Sequence, residues 1–98
     1  MSFALIVEPE AEGEIDEAAR WYDANSPGLG EEFLHSVAAT LATIQENPFL
    51  YQTVHGQMRR AGLRTFPYGL IYIASGQDVI VMACVHGRRD PKSWQDRS

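Results

Sequence analysis

The chain contains a single cysteine and no long apolar run, and both shortages exclude whole classes of protein. Cys84 cannot form an internal disulfide, and its place inside an apolar segment favours a buried small side chain over a reactive thiol. No apolar run approaches the roughly 20 residues that a membrane-spanning helix requires. The first ten residues also lack the basic start and long apolar stretch of a signal peptide. We therefore expect a cytoplasmic protein with no membrane segment.

The sequence also lacks the short motifs that mark common catalytic and cofactor sites. It has no Gly-x-Ser-x-Gly elbow, no phosphate-binding glycine loop and no His-Glu-x-x-His helix. Cys84 and His86 lie far in sequence from His35 and His55, which is too sparse a set to indicate a metal site. We expect neither a metal nor another cofactor.

Charge is distributed unevenly along the chain, whose net charge is −5. Residues 1–47 carry ten acidic side chains and one arginine, a balance of −9, whereas residues 48–98 carry seven basic and three acidic side chains, a balance of +4. Halves of opposite sign indicate two surfaces with different partners. For the N-terminal half alone, solvated acidic helices are the simpler explanation.

Ninety-eight residues suffice for one domain, 1–98, with a single core. Phe3–Val7 is a short apolar run that predicts a first strand. A helix is expected to follow, because Pro9 suits a first helical turn and an apolar stripe recurs at helical spacing. The members of this stripe are Ala11, Ile15, Ala18, Ala19 and Tyr22. The carboxylates of this helix are expected mostly on its solvent side.

A second helix is predicted after the break at residues 25–28, and Asn47-Pro48 ends it. Its apolar stripe consists of Leu29, Phe33, Val37, Leu41 and Ile44. The short break favours an antiparallel helical hairpin. Residues 49–57 are expected to form a loop.

Three strands are predicted in the last part of the chain, at Met58–Thr65, Leu70–Ala74 and Val79–Val85, with a tight turn at residues 75–78. The predicted fold is therefore an α+β domain in the order β-α-α-β-β-β. Its helical hairpin packs on one face of a mainly antiparallel sheet.

Arginines cluster around these strand boundaries, where they could form an anion-binding patch. They are Arg59, Arg60, Arg64, Arg88 and Arg89. Because side chains alternate along a strand, Arg60 and Arg64 are expected on the face away from the helices. Arg89 is expected to be structural, with Asp90 beside it, while a functional role is favoured for Arg60, Arg64 and Arg88.

Two further residues near the last strand are candidates for function. His86 could act as acid and base in metal-free RNA cleavage, in which case Arg60, Arg64, His86 and Arg88 would be the catalytic set, with Tyr72 or Tyr68 as a second proton donor. A hydrogen-bonded structural histidine is the alternative. Asp90-Pro91 predicts a capped single turn. We expect Trp94 to pack back on the domain as a lid, or else to contact a partner.

Several segments together resemble the ParE branch of the RelE/ParE toxin superfamily, over nearly the whole chain. They are Glu17–Tyr22, Gly30–Phe33, Asn47-Pro48 and the segment Arg60–Trp94, which includes Phe66-Pro67-Tyr68 and His86–Pro91. The resemblance implies the toxin of a type II toxin-antitoxin, or plasmid stabilisation, module. Its partner would be a cognate antitoxin, in a toxin-antitoxin hetero-oligomer.

The superfamily has two activities, and the resemblance leaves both open. ParE-like members block DNA gyrase without known chemistry, whereas RelE-like members enter the ribosomal A site and cut messenger RNA. This chain is acidic where ribosome-directed members are strongly basic, and it offers Trp94 where a catalytic tyrosine would be sought. The preferred interpretation is a non-enzymatic gyrase inhibitor that binds its target through Arg60, Arg64, Arg88, Arg89 and Trp94. The alternatives are a ribosome-dependent endoribonuclease and a degenerate toxin that acts mainly as an antitoxin-binding module.

Overall fold

Five strands form one mixed sheet in the computed structural model, which describes residues 3–97. Residues 1, 2 and 98 of the predicted domain 1–98 lie outside the described residues. The strands are β1 (Ala4–Val7), β2 (Thr53–His55), β3 (Met58–Gly62), β4 (Tyr68–Ser75) and β5 (Asp78–His86). Their order across the sheet is β1-β5-β4-β3-β2. Only the β1–β5 pair is parallel, so the predicted α+β fold with a mainly antiparallel sheet is confirmed.

The largest differences from the expected strand boundaries lie at two places. The segment 49–57, expected to be a loop, contributes the three-residue edge strand β2, which pairs with β3 through an irregular register. Strand β3 ends at Gly62 instead of continuing to Thr65, whose φ of 66° is incompatible with an extended strand. The β4–β5 hairpin closes as predicted, and Gly76 supplies the positive φ that its two-residue turn requires.

The helices α1 (Pro9–Asn25) and α2 (Leu29–Glu46) pack as a hairpin against one face of the sheet. Their apolar stripes meet side chains of β3, β4 and β5 in the main core. A cluster of aromatic rings packs against this core. The ring centroid of Phe66 lies 5.0 Å from that of Tyr22 and 5.2 Å from that of Phe33. Within residues 3–97, no helix is long and apolar enough to cross a membrane.

The opposite face of the sheet carries a second, smaller apolar cluster. Its members are Met58, Ile71, Met82, Ala83, Val85 and Trp94. A register shift between Ile71 and Tyr72 makes Met82 an extra residue in β5, so Met82 and Ala83 both belong to this cluster although they are adjacent in sequence. Trp94 covers the cluster from the C-terminal turn and is 5% exposed, which confirms its expected role as a lid.

Gly30 allows the two helices of the hairpin to approach closely. A Cβ at this position would lie 2.4 Å from the carbonyl oxygen of Ala19 and within 2.8 Å of the Asp23 carboxylate. The Gly30 N–H donates to that carboxylate at 2.7 Å, which caps the start of α2. A methyl group here would therefore disturb both the packing and the cap.

We expect Gly30→Ala to lower the free energy of unfolding by about 1–3 kcal/mol, the scale of overpacking in a filled interface. Gly13→Ala is the matched control, because Gly13 is also helical and a Cβ there meets no atom within 4 Å. That control should be stabilised by up to about 1 kcal/mol through helix propensity alone. Urea denaturation of both variants measures the difference, and equal stability of the two would contradict the close-contact explanation.

Candidate functional site

One edge of β5 is left open where β1 ends, and side chains close it. β1 pairs with β5 only as far as Val81. Beyond that point the N–H of Cys84 donates to Glu14 Oε1 at 3.0 Å, and the carbonyl of Met82 accepts from Arg97 Nη1 at 3.1 Å. A carboxylate and a guanidinium thus take the place of a neighbouring strand.

The Glu14 carboxylate is the centre of this edge closure. Arg97 binds it in bidentate fashion, at 2.9 Å and 3.2 Å, and Arg89 binds it at 2.9 Å. Burial alone raises the pKa of Glu14, but the hydrogen bonds from Arg97 and the Cys84 N–H and the charges of both arginines outweigh it. The pKa of Glu14 therefore lies below its ordinary value.

These contacts fix the C-terminal turn against the sheet. Asp90 Oδ1 accepts from the Lys92 N–H at 3.0 Å, and Pro91 begins the turn, as the sequence predicted. Arg89, which was expected to be structural because of Asp90, pairs with Glu14 instead. Trp94 is held in the second apolar cluster, so as a target contact it offers little exposed surface.

Arg60 lies on the sheet face opposite the helices, as the alternation of β3 predicted. It faces Ile71 of the second cluster across the β3–β4 pair. Its side chain crosses the sheet over a trough that three glycines leave open. These are Gly62, Gly69 and Gly87, at each of which a Cβ would meet the Arg60 guanidinium within 4 Å.

Arg64 lies outside β3, so the strand alternation that places Arg60 does not extend to it. Because β3 ends at Gly62, the chain turns toward α2, and the Arg64 carbonyl accepts from Ser36 Oγ at 3.2 Å. Arg64 lines a cavity of about 430 Å³ together with Glu32, His35 and other α2 residues. Arg60 is not among the residues that line this cavity.

His86 and Arg88 lie together after β5. The Nδ1 atom of His86 accepts from the Arg88 N–H at 3.0 Å, and its ring stands edge-on to Tyr68 at 5.2 Å between centroids. His86 lines a cavity of about 240 Å³ with Arg60, Arg89 and Trp94. The Arg88 side chain is exposed and forms no ion pair with residues 3–97.

The other potentially reactive side chains are buried or already bonded within the fold. Burial raises the pKa of Tyr72 to about 12, and its hydroxyl donates to the carbonyl of Pro48 at 2.6 Å. Burial, with a contribution from the Glu14 charge, raises the pKa of Cys84 to about 12, so its thiol stays protonated and behaves as the predicted small apolar side chain. Arg59 donates to the Tyr51 carbonyl and lies over the Phe49 ring, which makes it structural.

A larger open groove of about 570 Å³ runs between α1 and the ends of β4 and β5. Trp21, Tyr22 and Tyr68 supply most of its aromatic surface, and Trp21 is 59% exposed. Across residues 3–97, no three His, Cys, Asp or Glu side chains come together in a way that could hold a metal ion.

Sequence reasoning missed Glu14 and Arg97. The carboxylates of α1 were expected mostly on its solvent side, but Glu14 lies three residues after Ala11 and four before Ala18, on the buried face of the helix. An acidic residue inside an apolar stripe is a signal that could have identified it. Arg97 carries no such signal, because its partner lies 83 residues away.

Comparison with known proteins supports the fold and the family resemblance. A family model described as "ParE toxin of type II toxin-antitoxin system, parDE" matches residues 5–91. A solved structure described as "Chromosomal ParDE TA system from P. aeruginosa" superposes with a TM-score of 0.75 at 11% identity, over 87% of this chain and 96% of that chain. At this identity the structural likeness shows the fold alone. No curated protein matches the sequence.

The edge closure predicts a pH dependence of stability. Because the folded-state pKa of Glu14 is depressed, its charge stabilises the fold above the ordinary pKa of 4.5, and this contribution is lost as pH falls through the folded-state value. At pH 7 we expect Glu14→Gln to cost about 2 kcal/mol, the scale of hydrogen bonds to a charged group. Denaturant unfolding of both proteins should show this difference shrink below pH 4.5.

The control for this series is Glu12→Gln, since Glu12 is exposed on the same helix. It should cost no more than about 0.3–1 kcal/mol, the scale for one carboxylate in the first turn of a helix, which is less than the effect expected for Glu14. If Glu14→Gln behaved like this control, the carboxylate would not be closing the β5 edge.

Proposed function

Because the chain belongs to the ParE toxin family of type II toxin-antitoxin systems, we propose that it acts by binding DNA gyrase and performs no chemistry of its own. The arrangement of the candidate residues supports a binding mode of action. The family and the acidic balance of the chain support gyrase as the target.

The observation that carries the mode of action is the separation of the residues that an RNA-cleaving site would need. Arg60 lies on the face opposite the helices, whereas Arg64 lies beside α2. The Tyr72 hydroxyl is buried and committed to the Pro48 carbonyl. Metal-free cleavage needs a base, an acid and a cation around one phosphate. Arg60 and Tyr68 lie near His86, but Arg64 lines a different cavity and the Tyr72 hydroxyl is already bonded, so the full proposed set does not surround one point.

Some of the proposed target-binding residues would contact the target directly, and others would hold the binding surface in place. Arg60 and Arg88 have charged groups that no carboxylate of residues 3–97 neutralises, so they are the proposed direct contacts on the sheet face and its end. Arg64 would contact a different part of the target. Arg89 and Trp94 would support the surface from Glu14 and from the second apolar cluster.

Gyrase is favoured over the ribosome on electrostatic grounds. A protein that docks into ribosomal RNA must neutralise many phosphates, and this chain has 8 basic against 13 acidic side chains. We further propose that the protein acts in the cytoplasm, as part of a plasmid-stabilisation type of module. There a cognate antitoxin would hold it in a hetero-oligomer.

The target is tested with purified components. Incubated with gyrase and supercoiled plasmid, the chain should accumulate gyrase-linked double-strand breaks, and it should leave messenger RNA on programmed ribosomes intact. Cuts in the A-site codon that disappear in Arg64→Ala would overturn the proposal and make Arg60, Arg64, His86 and Arg88 catalytic. Inactivity in both assays, for a folded chain that binds its antitoxin, would favour the degenerate toxin.

The mode of action is tested by substitution. We expect His86→Gln to retain toxicity on induction without antitoxin, because a binding protein needs no acid-base group. Arg88→Gln should weaken binding to the target by about 1.5–3 kcal/mol through loss of a charge-assisted contact. Arg20→Gln is the charge-matched control, since Arg20 is exposed on α1. If His86→Gln abolished toxicity with fold and antitoxin binding intact, the nuclease alternative would be supported.

A further inference from the structure

Arg60 differs from the other half-buried or anchored arginines in having no partner for its charge. Arg97 and Arg89 bind Glu14, and Arg59 donates to the Tyr51 carbonyl. The Arg60 guanidinium forms neither an ion pair nor a hydrogen bond with any group of residues 3–97, although it is only partly exposed. A guanidinium in this position retains five N–H donors for an external acceptor.

The glycine trough holds the guanidinium in a defined orientation. A Cβ on Gly69 would lie 2.5 Å from Cζ, 2.6 Å from Nε and 2.8 Å from Nη2. Because the central carbon is the nearest atom, the backbone of Gly69 lies beneath the face of the guanidinium and not at its edge. The edge of the guanidinium is therefore left free, and its N–H groups can donate two parallel hydrogen bonds to a planar anion in the same plane.

The surroundings of this edge favour an anion. The cavity of about 240 Å³ that Arg60 lines also contains His86 and Arg89, with Val85 and Trp94 as apolar walls. The cavity is lined by no carboxylate side chain of the described residues. Apolar walls lower the local dielectric constant and so strengthen a charge-assisted hydrogen bond.

We infer that the Arg60 trough is a binding site for a carboxylate. A planar carboxylate matches the free fork with two parallel hydrogen bonds. A nucleic-acid backbone is disfavoured, because its binding requires many neutralised phosphates and the trough presents one committed and one free arginine. The inference does not depend on gyrase as the target, since it concerns the chemistry of the trough alone.

The experiment is an NMR titration of the ¹⁵N-labelled full chain with sodium glutarate at constant ionic strength, with sodium chloride as the balancing salt. Glutarate should shift the amide signals of Gly69 and Gly87 in a saturable manner. The amides of Gly13 and Gly76 report on regions outside the trough, where a Cβ would meet no atom within 4 Å, and should stay in place. A parallel titration with sodium phosphate distinguishes the two anions.

Three variants assign the effect to the guanidinium. Arg60→Gln should abolish the saturable shift, and Arg60→Lys should weaken glutarate binding roughly tenfold or more, because an ammonium keeps the charge but lacks the fork. Arg20→Gln should bind like the unmodified chain. The amide spectrum of each variant also shows whether the variant is folded. If Arg60→Gln is unfolded, the Arg60→Lys variant tests the inference in its place.

Three results would overturn the inference. They are the absence of saturable shifts with glutarate, saturation by phosphate alone, and undiminished glutarate binding by a folded Arg60→Lys variant. None of these results would contradict the proposal that gyrase is the target, which is tested by the assay for gyrase-linked double-strand breaks.

Discussion

The carboxylate of Glu14 is the contact on which the arrangement of the second half of the chain depends. β5 has nine residues and its parallel neighbour β1 has four, so part of a central strand would otherwise present unpaired backbone groups. Glu14 and Arg97 satisfy the exposed N–H of Cys84 and carbonyl of Met82. The same contacts hold Arg89 and the C-terminal turn, which places Trp94 over the second apolar cluster. One partly buried charge on α1 thereby connects the helices, the sheet edge and the lid.

The arginines illustrate how one residue type takes different roles according to what surrounds it. Arg97 and Arg89 form ion pairs with Glu14. Arg59 donates to a backbone carbonyl and lies over an aromatic ring. Arg60 stacks on Gly69 and keeps its donors free. Arg64 is separated from Arg60 by the bend after β3. A count of basic residues near the strand ends overestimates how many positive charges are available to a partner, because some of these residues already form ion pairs or hydrogen bonds within the fold.

The separation of Arg60 from Arg64 also bears on the choice between a binding protein and an enzyme. Catalysis of phosphodiester cleavage requires several groups at hydrogen-bond distance from one reacting centre. Binding requires only that each group reach some part of a large partner. Arg60 and Arg64 line different cavities, so a large partner could contact them at two separate places. The family membership gives this surface a biological setting, that of a toxin controlled by its antitoxin.

Local patterns in the sequence determined the elements of the fold. The apolar stripes of Ala11–Tyr22 and Leu29–Ile44, the turn at Gly76 and the cap at Asp90 are each encoded within a few neighbouring residues, so the helical hairpin, the β4–β5 hairpin and the C-terminal turn were predictable. Only the tertiary structure decided which charges meet. The Glu14–Arg97 pair joins residues 83 positions apart, and the bulge at Met82 and the bend after Gly62 change which face a side chain occupies. Periodicity assumes an unbroken strand, and an ion pair between distant elements depends on how the whole chain packs.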